Sequence, residues 1–492
     1  MNNIQTKRHG LSKSRLLLHR QCPKRLWLKV YHPELEEIDN GNQARFATGT
    51  YVGEVAQQLY PDGVLIDGDD LGQAMIDTKE ILTGEKRPIF EATFQSDGLL
   101  IRADLLLPDR DGFRMVEVKS STSVKDYHLT DAAIQSWVAE QAKLPLTSVE
   151  IAHIDNSFVY PGGGDYHGLF HHADISEQIS GMKAEVPDWI NAARKTLSGE
   201  EPCIAPGAQC DTPFECPFFG YCAPTVKTED EYPPEVMPYG RALAATLRDE
   251  GYTDLRDVPE ERLDNPRHQR VWRVSKSGQA ELNSEAGKII AALPYPRYYI
   301  DFETINPAVP VWAGTRPYMQ VPFQWSCHTE AAKGVMTHCA FLADGQSDPR
   351  RSFAESLINV AGTDGPIFVY YAPFERSRMQ ELADYYPDLA PALRAAVVRI
   401  VDLYPIARDY YYHPAMCGSW SLKAVLPTIA PDLAYDNLEV ANGGMAQEAF
   451  AEIMQPETLP ERRQQLHNAL LLYCERDTVA MVRIAHYFEG SA

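Results

Sequence analysis

Positive charge is scarce in this 492-residue sequence, where 46 Lys and Arg stand against 68 Asp and Glu and the formal net charge is −22. Long apolar runs are also lacking, and none reaches the roughly 20 residues that a membrane-spanning helix needs. The N-terminus has no signal-type apolar stretch, because Leu16–Leu18 is followed by His19 and Arg20. These two absences predict a cytoplasmic protein, and the length predicts two or three domains. The acidity weighs against nucleic-acid binding, because phosphate contacts normally come from Lys and Arg.

One basic segment departs from this acidity. The first 30 residues hold eight Lys or Arg and no Asp or Glu. The pattern over residues 12–30 predicts a single helix. Such a basic arm can lie along a phosphate backbone or can be the solvated start of a helix, and both interpretations remain open.

Cysteines are few, and nine in 492 residues do not indicate a secreted disulfide framework. Cys22 is isolated near the N-terminus, whereas Cys210, Cys216 and Cys222 share a loop at 202–224 that is rich in Pro and Gly. Four such thiolates can hold one metal centre only if the chain returns to its own start, and four cysteines suit a 4Fe–4S cluster. Zinc is an alternative, although structural zinc usually uses pairs two to four residues apart. Unliganded thiols are a third interpretation.

Charged residues interrupt two apolar strands of a predicted hairpin between Cys22 and that loop. Asp104 lies on the strand 101–107, and Glu117 and Lys119 share one face of the strand 113–119, because side chains alternate along a strand. Two carboxylates can hold Mg²⁺ or Mn²⁺, and a lysine can stabilise negative charge on an attacked phosphate. Buried charges are costly without a partner or a metal, so this pattern favours a functional site.

Residues 1–224 resemble the RecB-type branch of the PD-(D/E)XK nucleases, in the iron–sulfur form found in CRISPR adaptation and in helicase–nucleases. The features that carry the resemblance are Cys22-Pro23-Lys24-Arg25, Asp104, Glu117-Val118-Lys119, Gln135 and the cysteine loop. The resemblance implies that Asp104 and Glu117 are metal ligands. It also implies that Lys119 is catalytic and that Gln135 positions the substrate. The cluster ligands that it implies are Cys22, Cys210, Cys216 and Cys222.

The sequence departs from that family pattern in two places. Gly53, followed by Glu54, stands where such nucleases often have a metal-binding His four residues after a glycine, here Gly49. The cysteine loop has gaps of five and five residues, whereas the family usually has gaps of two and five. The first departure removes a metal ligand, and the second leaves room for zinc.

A second set of acids follows in the C-terminal half of the sequence. It comprises Asp301 and Glu303 on one face of an apolar strand, Glu375 at a helix start, and Tyr473 and Asp477 one turn apart on a later helix. Four acids on two strands and two helices can form a two-metal site for in-line phosphoryl displacement. A tyrosine beside them can orient the attacking water.

This half is similar to the DnaQ-like (DEDD) 3′–5′ exonucleases of the RNase H fold, in their tyrosine subtype. Asp301 and Glu303 match the first motif, and Tyr473 and Asp477 match the third. Glu375 stands where the second motif has Asp, and the additional methylene shifts the metal geometry. The combination of the two halves resembles an uncharacterised bacterial family of predicted nucleases.

The sequence therefore predicts an α/β (α+β) protein in three segments. Residues 1–224 are the PD-(D/E)XK domain, 225–290 a helical spacer that is either helix–hairpin–helix-like or a plain linker, and 291–492 the RNase H-like exonuclease domain. The expected activity is Mg²⁺- or Mn²⁺-dependent hydrolysis of phosphodiester bonds, at single-stranded DNA ends rather than in RNA. The alternatives are a nuclease in which one of the two sites has decayed and a nucleic-acid-binding scaffold without chemistry.

Overall fold

The computed structural model describes residues 10–37, 40–223, 232–433, 435 and 437–490, with the backbone alone for residues 40–44. The chain divides into two compact units of mixed α/β structure. The first contains the described residues up to 223 together with 307–318, and the second contains 232–306 and the described residues from 319 onward. Within the described ranges, no helix combines the length and the apolar character needed to cross a membrane.

The first unit is built on one mixed sheet. Its strands are β1 Leu11–Ser12, β2 Val64–Leu65, β3 Ile89–Ser96, β4 Leu99–Pro108, β5 Phe113–Lys119, β6 Leu146–Ile154 and β7 Phe170–Asp174. Its helices are α1 Lys13–Gln21, α2 Pro23–Tyr31, α3 Asn40–Gln58, α4 Leu71–Thr83, α5 Asp126–Gln141, α6 Ser180–Ser198 and α7 Phe219–Cys222. The strand order is β2-β3-β4-β5-β6-β7, and β1 pairs with β4. The antiparallel pair β4–β5 confirms the predicted hairpin.

The helix predicted over 12–30 is instead two helices, α1 and α2. They meet at Cys22, whose backbone is extended with φ −160° and ψ 121°. Pro23 follows it as the first residue of α2. A proline disfavours the helical conformation of the residue before it, so the break falls at Cys22.

Helix α5 lies against strands β3, β4 and β6 of the sheet and packs against α6. Its buried apolar residues, among them Ile134 and Val138, join Ile101 and Ile190 in the main core of this unit. Each fully buried aliphatic side chain of this size contributes about 1.5–3 kcal/mol. This packing fixes α5 beside the charged residues of β4 and β5.

The second unit contains another mixed sheet and a larger set of helices. Its strands are β8 Glu281–Leu282, β9 Arg297–Ile305, β10 Val321–Ala332, β11 Val335–Leu342, β12 Ile367–Val369, β13 Ile400–Asp402 and β14 Tyr411–Tyr412. Its helices are α8 Arg241–Asp249, α9 Pro266–Ser277, α10 Glu285–Ala291, α11 Arg350–Ala361, α12 Pro373–Tyr385, α13 Ala390–Val398, α14 Leu403–Tyr410, α15 Leu422–Ile429, α16 Gly443–Met454 and α17 Pro460–Phe488. Five of these strands form the mixed sheet, in the order β11-β10-β9-β12-β13. The pairs β11–β10 and β10–β9 are antiparallel, and the pairs β9–β12 and β12–β13 are parallel.

Helix α17 lies against β9 and β10. Leu470, Cys474 and Met481 recur at near-helical spacing and are buried, so this face of α17 turns toward the sheet. The helices of residues 241–291 pack in the same unit, where Leu247 and Ile290 share a core with Tyr299 of β9. The arrangement brings the last helix of the chain beside the first strand of this sheet.

Candidate functional site

In the first unit, β4, β5 and α5 gather the residues that the sequence singled out. Asp104 and Glu117 lie on neighbouring antiparallel strands. Lys119 Nζ lies 2.7 Å from Glu117 Oε1, and the Gln135 amide donates a hydrogen bond to Glu117 Oε2. The structure therefore brings these four predicted residues into one cluster.

Two further members of this cluster were missed from the sequence. Lys13 Nζ lies 3.1 Å from Glu117 Oε1 and 3.0 Å from Asp131 Oδ1. Lys119 Nζ lies 2.9 Å from Asp131 Oδ2. Asp131 stands four residues before Gln135 on α5, a spacing that places both on one helix face and was the available signal. The ammonium groups of Lys13 and Lys119 thus neutralise the carboxylates of Glu117 and Asp131.

The charges of this cluster follow from its burial and its ion pairs. Burial, with the charge of Glu117 adding to it, raises the pKa of Asp104 to about 8, although its Oδ2 accepts the Val118 N–H at 2.7 Å. Burial alone would raise the pKa of Asp131, but Lys13 and Lys119 hold it below its usual range. At neutral pH the cluster therefore holds a protonated Asp104 beside closely paired charges.

The four cysteines of the predicted cluster line one small cavity. Cys22 stands between α1 and α2, and the Gln21 amide ties that junction to the loop by donating to the Gln209 and Phe214 carbonyls at 2.8 and 2.6 Å. The structure thus brings the four predicted thiols to one place. The choice between a 4Fe–4S cluster and zinc stays a prediction.

In the second unit, β9 and α17 bring three carboxylates together. One oxygen from each of Asp301, Glu303 and Asp477 lies within 4.8 Å of the others. Glu303 and Asp477 are buried, and Asp301 is partly buried. In the described part of the chain, no Lys or Arg forms an ion pair with any of the three. The acids of the first unit are paired with lysines, whereas these acids repel one another.

Glu375 reaches the same cavity from the start of α12 but stands outside this group of three. Its position depends on Asp402, whose carboxylate accepts the N–H groups of Tyr371 and Ala372 at 2.9 and 3.0 Å and fixes the turn before the helix. Tyr371 has φ 78°, a left-handed conformation that is uncommon outside glycine. Glu375 Oε2 is buried without a hydrogen-bond partner among the residues described, which leaves an acceptor for a ligand.

The pKa values of these acids are raised, chiefly by burial. Burial and then the charge of Asp477 raise the pKa of Glu303 to about 8. Burial raises the pKa of Glu375 to about 8 and that of Asp477 to about 6. Burial and the neighbouring acids hold the pKa of Asp301 well above its usual range. Buried acids of this kind release their protons readily only when a cation replaces them.

Aromatic and basic side chains complete the surroundings of Asp477. The Tyr435 hydroxyl donates a hydrogen bond to Asp477 Oδ1. Lys423 Nζ lies 5.1 and 5.3 Å from the ring centres of Tyr435 and Tyr473. Burial and the charge of Asp477 raise the pKa of Tyr473, so its hydroxyl keeps its proton at neutral pH. Tyr435 was missed because it lies far from the acidic motifs in sequence.

A cavity of about 750 Å³ opens over these acids. Its size falls in the ~300–1,000 Å³ range of ligand pockets. Besides the acids it is lined by aromatic residues, of which Tyr239 is 89% exposed and Tyr371 56% exposed. The cavity thus combines exposed aromatic rings with carboxylates, which suits a ligand that has both flat rings and a metal-binding group.

The raised pKa values predict that the metal-free protein loses stability as the pH rises. The folded state keeps protons on Glu303 and Glu375 up to about pH 8, whereas these groups lose theirs near 4.5 in the unfolded chain. The folded state therefore binds more protons across that window, and the free energy of unfolding falls by a few kcal/mol from pH 5 to pH 8. Denaturant titrations in EDTA measure this slope, which Glu303→Gln is expected to reduce. Equal stability at the two pH values would contradict the buried-acid assignment.

Comparisons with known proteins give family-level similarity without a function. The family model for a domain of unknown function, DUF2779, matches residues 298–421, which include Asp301, Glu303 and Glu375. The uncharacterized protein UU173 of Ureaplasma parvum is 24% identical over 250 residues, covering 45% of this chain and 35% of that protein. The uncharacterized MG366 homolog of Mycoplasma pneumoniae is 26% identical over 237 residues, covering 44% and 35%. The chain thus spans about a third of the length of these relatives.

Proposed function

We propose that this chain is a divalent-metal-dependent nuclease whose principal catalytic centre lies in the second unit. The observation that carries the proposal is the convergence of Asp301, Glu303 and Asp477, one carboxylate oxygen of each lying within 4.8 Å of the others. Their raised pKa values and the open cavity above them agree with a site that is incomplete without a cation. The resemblance to DnaQ-like exonucleases of the RNase H fold supports the same assignment.

The chain's own residues suit phosphodiester hydrolysis. Asp301, Glu303 and Asp477 would hold Mg²⁺ or Mn²⁺, which supplies an activated water and neutralises charge on the phosphate. The Tyr473 hydroxyl, which stays protonated, would orient that water. Glu375 offers its unpartnered oxygen to the same cavity.

The exposed aromatic residues of the cavity favour single-stranded substrate, because unpaired bases stack on such rings in a sequence-independent way. The scarcity of Lys and Arg argues against a long duplex footprint held by many phosphate contacts. The proposed substrate is therefore a single-stranded end, and DNA is proposed over RNA on the sequence-based expectation alone.

The first unit is proposed to have the PD-(D/E)XK fold, and its charge pairs favour the alternative of a single active nuclease site. Lys13 and Lys119 already satisfy Glu117 and Asp131. A metal ion would have to displace an ammonium group there, and Gly53 supplies no additional ligand. Its D…ExK residues are proposed to contribute less to cleavage than the acids of the second unit.

A 4Fe–4S cluster held by Cys22, Cys210, Cys216 and Cys222 is part of the proposal. Its role would be structural, because it would link the α1–α2 junction to the end of the first unit. Protein purified without oxygen is expected to be brown and to contain iron, and Cys216→Ser is expected to lose both properties. A colourless wild-type protein that contains zinc would exclude the cluster.

The proposed activity is tested with purified protein and end-labelled single-stranded DNA, duplex DNA and RNA. Mn²⁺ is expected to support progressive shortening of the single-stranded DNA, and EDTA to stop it. The choice of labelled end reports the polarity of cleavage. If all substrates remain intact after incubation with Mn²⁺ or Mg²⁺, the nuclease proposal is wrong and the nucleic-acid-binding scaffold is the remaining alternative.

A further inference from the structure

Two histidines and a glutamate form a separate cluster in the second unit. His328 of β10 and His338 of β11 are cross-strand partners, with ring centres 4.5 Å apart. Glu475 of α17 reaches the same place, so that one nitrogen of each ring and one carboxylate oxygen lie within 4.8 Å of one another. His328 is buried, Glu475 is partly buried and His338 is exposed. The proposed nuclease chemistry uses none of these three residues.

Two hydroxyl groups contact both imidazoles. Thr478 Oγ1 lies 2.8 Å from His328 Nδ1 and 2.9 Å from Ser326 Oγ. Ser326 Oγ in turn lies 2.9 Å from His338 Nε2. Each ring therefore has a hydroxyl group on one of its two nitrogens.

These contacts occupy His328 Nδ1 and His338 Nε2, so the hydroxyl groups do not contact the other nitrogen of either ring. His338 Nδ1 lies 3.7 Å from Glu475 Oε1. Metal-binding histidines in proteins commonly use one ring nitrogen for the metal while the other makes a hydrogen bond.

We propose that His328, His338 and Glu475 bind a transition-metal dication of the Zn²⁺ class and thereby tie the β10–β11 hairpin to α17. Two imidazoles and one carboxylate are a zinc ligand set that leaves a further position for water. Mg²⁺ prefers oxygen ligands, so this site and the acidic site select different metals. The proposal does not depend on the nuclease activity.

The test is a Co²⁺ titration of the full chain after EDTA treatment and dialysis into excess Mg²⁺, which occupies sites made of oxygen ligands. Wild-type protein is expected to gain a visible ligand-field band with one equivalent of Co²⁺, and Zn²⁺ to displace it. His338→Ala, at an exposed position, is expected to lose this band. Thr478→Val keeps the side-chain size but removes the orienting hydroxyl, and is expected to weaken Co²⁺ binding by ~10–100-fold.

The matched control is His167→Ala, which removes an exposed imidazole of the first unit that pairs with Asp165 at 2.7 Å. It is expected to bind Co²⁺ as the wild type does. Cobalt bound by the cysteines gives a sulfur charge-transfer band and persists in His338→Ala, so the difference spectrum isolates the histidine site. Glu475→Gln provides an independent variant. Equal Co²⁺ stoichiometry and affinity in wild type and His338→Ala, or no binding by the wild type, would overturn the proposal.

Discussion

Asp301→Asn is expected to lower the rate of DNA cleavage by about 10³-fold or more, because it removes a charged ligand from the centre of the acidic site. One carboxylate oxygen of Asp301 lies within 4.8 Å of an oxygen of Glu303 and an oxygen of Asp477, so Asp301 is placed to share a metal ion with both. The measurement is the initial cleavage rate of end-labelled single-stranded DNA at saturating Mn²⁺. The same substitution should weaken Mn²⁺ binding in a direct titration.

The stability of metal-free Asp301→Asn should increase, whereas its cleavage rate and its Mn²⁺ affinity should decrease. Burial, and then the neighbouring acids, raise the pKa of Asp301, so its charge is unfavourable in the folded state. Asn removes this charge while nearly keeping the shape, and the free energy of unfolding in EDTA should rise relative to wild type at pH 8. A loss of activity caused by misfolding would instead lower it.

The matched control for Asp301→Asn is Asp384→Asn, at an exposed carboxylate of α12 that pairs with Arg394 at 3.0 Å. Its effect on cleavage should be negligible, because exposed ion pairs contribute ~0–1 kcal/mol and Asp384 lies outside the cavity. Glu117→Ala reports on the first unit. Full cleavage by Asp301→Asn together with loss of cleavage in Glu117→Ala would place the chemistry in the first unit.

Elements with strong local patterns could be predicted from the sequence. The β4–β5 hairpin follows from two apolar strands joined by turn formers, and the strand that carries Asp301 and Glu303 follows from a continuous apolar run. The shared face of Tyr473 and Asp477 follows from helical spacing. The break at Cys22 was missed, although Pro23 marked it by disfavouring a helical conformation at the residue before it.

Contacts between residues far apart in sequence could not be predicted in this way. Lys13 stands 104 residues before Glu117, and Tyr435 stands 42 residues before Asp477. Such pairs depend on tertiary packing, about which local periodicity carries no information. The histidine cluster is similar, since His328 and His338 meet only through the register of β10 and β11. One histidine on each of two neighbouring strands is not a recognisable motif in the sequence.

Asp131→Ala is expected to destabilise the first unit by about 3–5 kcal/mol, because removing one partner leaves buried charge uncompensated. Asp131 contacts Lys13 at 3.0 Å and Lys119 at 2.9 Å. Without it, both ammonium groups would share Glu117 Oε1. The measurement is denaturant unfolding at pH 7, where Asp131 is fully charged because its pKa lies below the usual range.

A double-mutant cycle with Lys13→Met separates this charge imbalance from a simple loss of packing. If the penalty arises from two cations around one carboxylate, removing Lys13 as well should recover part of it, and the double variant should lose less than the sum of the single losses. Asp126→Ala, at an exposed acid in the first turn of the same helix, should cost no more than about 0.5 kcal/mol. Strict additivity would mean that the lysine charges are solvated. In that case a metal ion could enter the first unit without displacing an ammonium group, and the argument for a single principal active site would lose its support.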